Sequence, residues 1–344
     1  MPEVKRTEIA DIGEFALIER LSQKVQINNT DTVRGIGDDA AVLKSEAGQL
    51  VLISSDMLLE GIHFDLTYMP LKHLGYKAVA VNVSDIAAMN AIPKQVTVNL
   101  GLSNRFSVEA VEAIYDGIKA AADEYKIDVV GGDTTSSASG LVISVSIIGT
   151  ASEEEVVYRK NARKSDILCV TGDLGAAYMG LQVLEREKQE FLANPDMQPK
   201  IDQYEYVVGR QLRPRARMDI IHELRSVGVV PTAMIDVSDG LASDLFHICK
   251  SSGLGACIYE DKLPVFEKTF DVVAEFGLDT NTAALNGGED YELLFTVSQK
   301  DFEKIENIDD IHVIGYMHEA DKGKVMVTAK DNVVELQAQG WKHF

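Results

Sequence analysis

AMIDVSDGLASDLFHICKSSG, residues 233–253, carries the reading of this chain. A short apolar run ends on Asp236, a Ser-Asp-Gly turn follows, and apolar residues then recur at helical spacing, which predicts strand, turn and helix. A partial echo stands at KAVAVNVSDIAAMNA, residues 77–91, where Ser84 and Asp85 follow the run AVAVN. That run has the pattern of a strand leaving the core, although LKHLGYKAVAVNVSD as a whole reads as helix. Either Ser-Asp pair alone would serve as an ordinary helix N-cap.

The same pattern recurs elsewhere, which shifts the balance. GIGDDAAV supplies Asp38 and Asp39, VLISSD supplies Asp56, VVGGD supplies Asp133, and the opening stretch adds Asp239 to Asp236. Each acid follows an apolar or glycine-rich run and is expected where a strand leaves the core. Strand ends on one sheet edge converge, and open α/β sheets bind ligands there. These carboxylates, converging with no lysine or arginine nearby in sequence, would repel one another unless cations filled the cluster. With the hydroxyls of Ser54, Ser55, Ser84 and Ser238 the donors are all oxygen, which suits Mg²⁺. No His or Cys accompanies them, which argues against zinc.

Net charge is −21 over 344 residues, and so acidic a surface repels nucleic acid. It would also repel a free nucleotide, so any bound triphosphate needs a divalent metal to offset its charge. The composition, 46% hydrophobic and 25% charged, suits a globular protein of two domains. No apolar stretch reaches the roughly 18 residues of a membrane helix, and MPEVKRTEIADIGEF lacks an apolar h-region. With only three cysteines, Cys169, Cys249 and Cys257, a cytoplasmic location is expected.

GEFALIERLSQKV reads as an amphipathic helix through Phe15, Leu17, Ile18 and Leu21. Strands are expected at AAVLK, LVLISSD, KQVTVNLGL and the alternating LVISVSIIGT, with a helix at VEAIYDGIKAAADEY. A charged crossover follows, then strand, glycine turn and helix in DILCVTGDLGAAYMGLQVL. The fold class is α+β in two unequal domains, 1–152 and 153–344, with residues 185–207 polar and unassigned. There is no P-loop and no protein-kinase motif. Glycine turns at 35–37, 131–132, 171–175 and 287–288 could cradle phosphate or be ordinary tight turns.

Taken in order, GIGDDAAV, SSDMLLEGIHF, KAVAVNVSDIAAMNA, VVGGDTTS, VTGDLGAAYMGL, DVSDGLASDL and GGEDYELLFTV resemble the thiamine-monophosphate kinase family. That family lies within the superfamily of aminoimidazole ribonucleotide synthetase and selenophosphate synthetase. The resemblance runs from GEFALIERL to GWKHF. It implies transfer of the ATP γ-phosphoryl group to thiamine monophosphate, and a homodimer whose N-terminal domains share a β-barrel flanked by helices, with a C-terminal α/β sandwich domain. By motif position it implies magnesium ligands at Asp39, Ser54, Ser55, Asp56, Asp85, Asp133, Asp236 and Asp239. Nucleotide contacts fall on Tyr115, Gly132, Asp133, Arg159 and Ser238, and substrate contacts on His63, Glu289 and Trp341. The family often has Ser-Thr-Asp at residues 54–56 and Arg-x-Gly-Ala at 159–162, where this chain has Ser-Ser-Asp and Arg-Lys-Asn-Ala. QLRPRAR lacks the family's usual pattern, so Arg210, Arg213 and Arg215 receive no role.

An acceptor phosphate monoester is largely ionised near neutrality, its second pKa being about 6, so neither a strong general base nor a covalent phosphoenzyme is expected. Charge stabilisation falls to magnesium and Arg159, whose alternative is a surface ion pair. His63 is either a structural histidine or a substrate contact. Glu289 either caps a turn or faces the thiazolium cation, and Trp341 either stacks on that ring or packs on the core. A selenophosphate synthetase would carry an early reactive cysteine, and a hydrogenase-maturation relative would end in one; this chain does neither. A non-catalytic ion- or nucleotide-binding regulator is the alternative from another class.

Overall fold

A computed structural model describes residues 9–23, 27, 29–45, 48–196 and 198–339. Helix α1 (Ile9–Ser22) forms where expected but leaves Ile18 and Leu21 exposed. Two open sheets follow, neither closed into a barrel, in a two-domain α+β arrangement. The first comprises β1 (Thr32–Arg34), β2 (Ala41–Lys44), β3 (Leu50–Leu59), β4 (Ile92–Leu102), β5 (Asp128–Ser136) and β6 (Val142–Ala151). Its order is β1-β2-β3-β6-β4-β5, antiparallel except for the β4–β5 pair. Along β6, Ile143, Val145 and Ile147 are buried while the residues between them are partly exposed, the alternation its sequence predicts.

The buried face packs on α2 (Leu71–Ala88), which in turn packs on α3 (Val108–Tyr125). Helix α2 also touches the second sheet, so fourteen of its eighteen residues are buried. A helix wrapped on all sides needs no polar face, which is why AVAVN looks like a buried strand. The strand-end reading of Asp85 is therefore wrong: it sits in the last turn of α2.

The second sheet comprises β7 (Ile167–Thr171), β8 (Ala233–Asp236), β9 (Leu254–Tyr259), β10 (Leu293–Val297), β11 (Ile311–Glu319), β12 (Lys324–Val327) and β13 (Val333–Glu335). Its order is β13-β12-β9-β11-β7-β10-β8, with helices α4 (Ala176–Ala193), α5 (Glu205–Leu212), α6 (Met218–Ser226) and α7 (Leu241–Ser252) around it. Residues 233–253 fold as strand, turn and helix, as expected. Strand β8 is an edge strand of this sheet and lies against α2. Asp236 at its end is thereby carried to Ser84, whose Oγ donates to Asp236 Oδ2 at 2.6 Å.

Candidate active site

Ser84 and Asp85 of α2 meet Asp236 at the end of β8. One carboxylate oxygen each from Asp39, Asp85 and Asp236 lies within 4.8 Å of the others. Asp56 joins them from the middle of β3 rather than from a strand end, two residues after Ser54 and so on the same face. Ser54 Oγ donates to Asp85 Oδ2, and the Asp56 amide donates to Asn82 Oδ1 of α2 at 3.2 Å. Burial, then the neighbouring acids, lifts the carboxyl of Asp85 well above the ordinary range. Burial and Asp39 push Asp56 up to about 6 and Asp236 to about 7. Asp38 rises to about 6 for the same two reasons.

A cation distant in sequence does stand among these acids. Arg159 grips Asp39 through Nε to Oδ2 at 3.0 Å and Nη2 to Oδ1 at 2.6 Å, and its amide donates to Asp38 Oδ1 at 3.2 Å. Arg159 is thus no surface ion pair. The following turn needs a left-handed residue at 161, and Asn161 supplies it with φ 90°, a conformation asparagine tolerates better than most. Arg34 lies 2.7 Å from Asp38, yet two arginines still leave the five acids short of positive charge. Its all-oxygen donors, buried and mutually repelling, fit Mg²⁺.

The remaining expected ligands divide. Asp239 lines the cavity beside Asp236. Ser55 does not share the face of Ser54 and Asp56, because successive strand side chains point to opposite faces; its Oγ instead meets Ser146 Oγ at 2.9 Å and Val145 O at 3.1 Å. Asp133 lies on β5, an edge strand exposed along its whole length. It stands three strands from β3, ~14 Å at ordinary strand spacing. Gly132 neighbours it because a Cβ there would fall 1.7 Å from Val98 O. Tyr115 is exposed on α3. Within one chain, then, Arg159 and Ser238 stand by the acid cluster, while Tyr115, Gly132 and Asp133 do not line its cavity. The glycine turn at 171–175 and the Ser-Asp-Gly turn at 238–240 have amides already engaged. Gly175 and Ala177 donate to Asp290, and Ser238, Asp239 and Gly240 donate to Asp244.

A cavity of 830 Å³ opens from the acid cluster, with Asp56, Asp85, Arg159, Asp236 and Asp239 on its wall. That volume lies in the range of small-molecule sites. His63 lines it, its Nδ1 accepting the Leu59 amide at 3.1 Å, which leaves the proton of a neutral ring on Nε2. Glu289 lines it too, but not as a bare carboxylate: Lys77 Nζ lies 2.9 Å from Oε1 and Gln211 Nε2 donates to Oε2 at 2.7 Å. Lys77 is fully buried in α2. Trp341 falls outside the described residues.

Several residues here were not singled out from sequence. Arg210 and Arg217 hold Glu292 at 2.7 Å each, fixing the GGEDYEL segment from below; only the charge density of QLRPRAR hinted at this. Tyr178, Leu181, Gln182, Glu185 and Lys188 of α4 all face the cavity, and their spacing of three and four residues was the available signal.

Comparison with known proteins agrees with this geometry. Residues 37–151 match the family model for the AIR synthase related protein, N-terminal domain, and 163–328 match that for its C-terminal domain. The chain is 34% identical to the thiamine-monophosphate kinase of Bacillus subtilis (strain 168) over 97% of this chain and 100% of the relative. It is 34% identical to the Aquifex aeolicus (strain VF5) thiamine-monophosphate kinase, over 98% and 99%. Among solved structures, AaThiL complexed with AMPPCP and TMP superposes with a TM-score of 0.83 at 32% identity, covering 98% of this chain and 99% of that one. With both halves of the fold matched and full-length identity above 30%, the chain belongs to the thiamine-monophosphate kinase family and is a kinase.

Proposed function

We propose that the chain transfers the γ-phosphoryl group of ATP to the phosphate of thiamine monophosphate, forming thiamine diphosphate and ADP by direct in-line displacement. The observation that carries this is one cavity joining a cation-seeking acid cluster to a wall with aromatic side chains. Mg²⁺ held by Asp39, Asp56, Asp85, Asp236 and Asp239 would neutralise charge on the phosphates. Arg159, anchored on Asp39, directs positive charge into the same space. Ser54 and Ser84 orient the carboxylates they bond. No side chain need act as a base toward an already ionised acceptor.

A homodimer forming a shared barrel belongs to the same reading. It is supported by β5, whose outer edge has no partner strand among the described residues and where Val129 and Val130 are exposed. A second copy there would also give Asp133 and Tyr115 a site to serve. Sedimentation of the purified chain as a monomer would remove that part.

The test of the transfer is ADP and thiamine diphosphate formation from ATP and Mg²⁺, with and without thiamine monophosphate. Acceptor-dependent formation of both is expected. Stereochemical inversion at a chiral γ-phosphoryl group is expected too, and retention would point to a phosphoenzyme. ATP consumption indifferent to the acceptor would overturn the assignment, and nucleotide binding without consumption would favour a regulator.

A further inference from the structure

The cavity carries a second polar group away from the acid cluster. Lys188 Nζ of α4 contacts Asp65 Oδ2 at 2.7 Å and Glu185 at 3.4 Å, and Tyr68 donates its hydroxyl to Glu185 Oε1 at 2.9 Å. Two carboxylates therefore share one ammonium, leaving a net charge of −1 on this wall. Glu289, by contrast, has its charge offset by the buried Lys77. Burial draws the Asp65 carboxyl upward, but bonds from Lys188 and Thr67 outweigh it and keep it ionised below its usual range. The ring of Tyr68 stands here, with Tyr178 also on the cavity wall.

A flat, permanently cationic ring is stabilised by aromatic side chains and unbalanced negative charge; Lys188 Nζ lies 5.7 Å from the centre of the Tyr68 ring, and Tyr178 supplies a second ring on the wall. We propose that Glu185, held by Tyr68 and Lys188, is the specificity-determining carboxylate that receives the cationic ring of the acceptor, a role the sequence had offered to Glu289. The inference rests on the thiamine-monophosphate reading above and refines it. Glu185 is a positioning residue: it selects and orients the acceptor through charge, and the phosphoryl chemistry proceeds at the other group. Its carboxylate is 41% exposed, so its substitution leaves the core untouched.

The experiment compares Glu185→Gln with wild type on two acceptors, thiamine monophosphate and an isostere in which carbon replaces the thiazolium nitrogen. For the cationic acceptor, KM should rise about tenfold with kcat within about twofold, the loss of one favourable charge contact. For the neutral isostere, KM should change by less than about twofold. Glu185→Asp should recover part of the difference, and KM for ATP should stay at its wild-type value. Equilibrium binding of both acceptors without ATP should show the same split. Equal losses on both acceptors, or none on either, would overturn the charge-selective role while leaving the kinase reading intact. A wild type that does not phosphorylate thiamine monophosphate would bring down both, and is told apart by its own assay.

Discussion

Glu292, the residue before β10, and Asp236, the last of β8, lie beside each other: Leu293 pairs with Asp236 in the β8–β10 ladder, and the Val237 amide donates to Glu292 O at 2.7 Å. Both acids are buried. Glu292 is surrounded by Arg210, Arg217 and the Thr171 hydroxyl. Burial pulls its carboxyl up, yet the two arginines win and it titrates below its usual range. Asp236 has Ser84 and a share of Arg159 against three other acids, and rises to about 7. One carboxylate is satisfied by the chain itself and holds the fold. The other stays among acids that the chain's own cations do not balance. Neighbouring positions can thus differ entirely in role through the count of cations around them.

The largest expected effect breaks the satisfied side. Glu292→Gln leaves the buried guanidinium of Arg217 and the half-buried one of Arg210 facing a neutral amide, and removing one partner of a buried ion pair costs about 3–5 kcal/mol. Urea unfolding should show that loss as a lower midpoint at unchanged slope. A loss below about 1 kcal/mol would mean that the arginines find other partners and that Glu292 is not the anchor of GGEDYEL.

Asp85→Asn tests the unsatisfied side. It removes a charge that repels its neighbours, so the metal-free Tm should hold or rise while kcat falls by about 10²–10³, equivalent to roughly 2.7–4 kcal/mol. A fall in Tm matching that of the Glu292 variant would erase the distinction between the two centres.

Their pH dependences should have opposite sign. Glu292, depressed in the fold, contributes stability present above its unfolded pKa and lost as pH falls through its folded one. Asp56 and Asp236, raised to about 6 and 7, bind more protons folded than unfolded, so metal-free stability falls as pH rises from about 4 to 7. Mg²⁺ competes with those protons. At a hundredfold excess over Kd it should add about 2.7 kcal/mol, with a larger rise in Tm at pH 8 than at pH 6. Equal rises at both pH values would place the ion elsewhere.

Asp236 was legible because strand, turn and helix follow one another openly in 233–253, and the oxygen-only character of the cluster followed from residue types alone. Asp85 was legible as a member of the acid group, and its segment allowed two readings: the helix over LKHLGYKAVAVNVSD, which forms, and a strand end after AVAVN, which does not, since α2 is enclosed on every side and its sequence loses the polar face that marks a helix. Arg159 was named from the resemblance as a charge-stabilising residue, but its pairing with Asp39 was not legible, because its distance from that acid in sequence says nothing of the fold that clamps the two together. Glu185 and Lys188 escaped for a different reason: polar residues late in a helix look like a solvated face until a cavity is found beside them. Pair formation by Arg210 and Arg217 depends on tertiary approach, which no local pattern encodes.

The smallest effect is the sharpest, because it separates adjacent residues of one type. Ser54 and Ser55 are chemically identical and were both expected as ligands, yet the pleat sends them to opposite faces of β3. Ser54→Ala removes a hydroxyl bonded to Asp85, and a bond of that kind contributes about 1 kcal/mol. Mg²⁺ affinity, read by calorimetric titration, should weaken about fivefold as Asp85 loses its orientation. Ser55→Ala removes a hydroxyl that meets only Val145 and Ser146 on the other face, and Mg²⁺ affinity should stay within about twofold of wild type. Equal weakening by both would mean that β3 shifts when the ion binds and carries Ser55 toward it. Weakening by Ser55→Ala alone would invert the register on which the whole acid cluster is built, since Asp56 shares its face with Ser54 and not with Ser55.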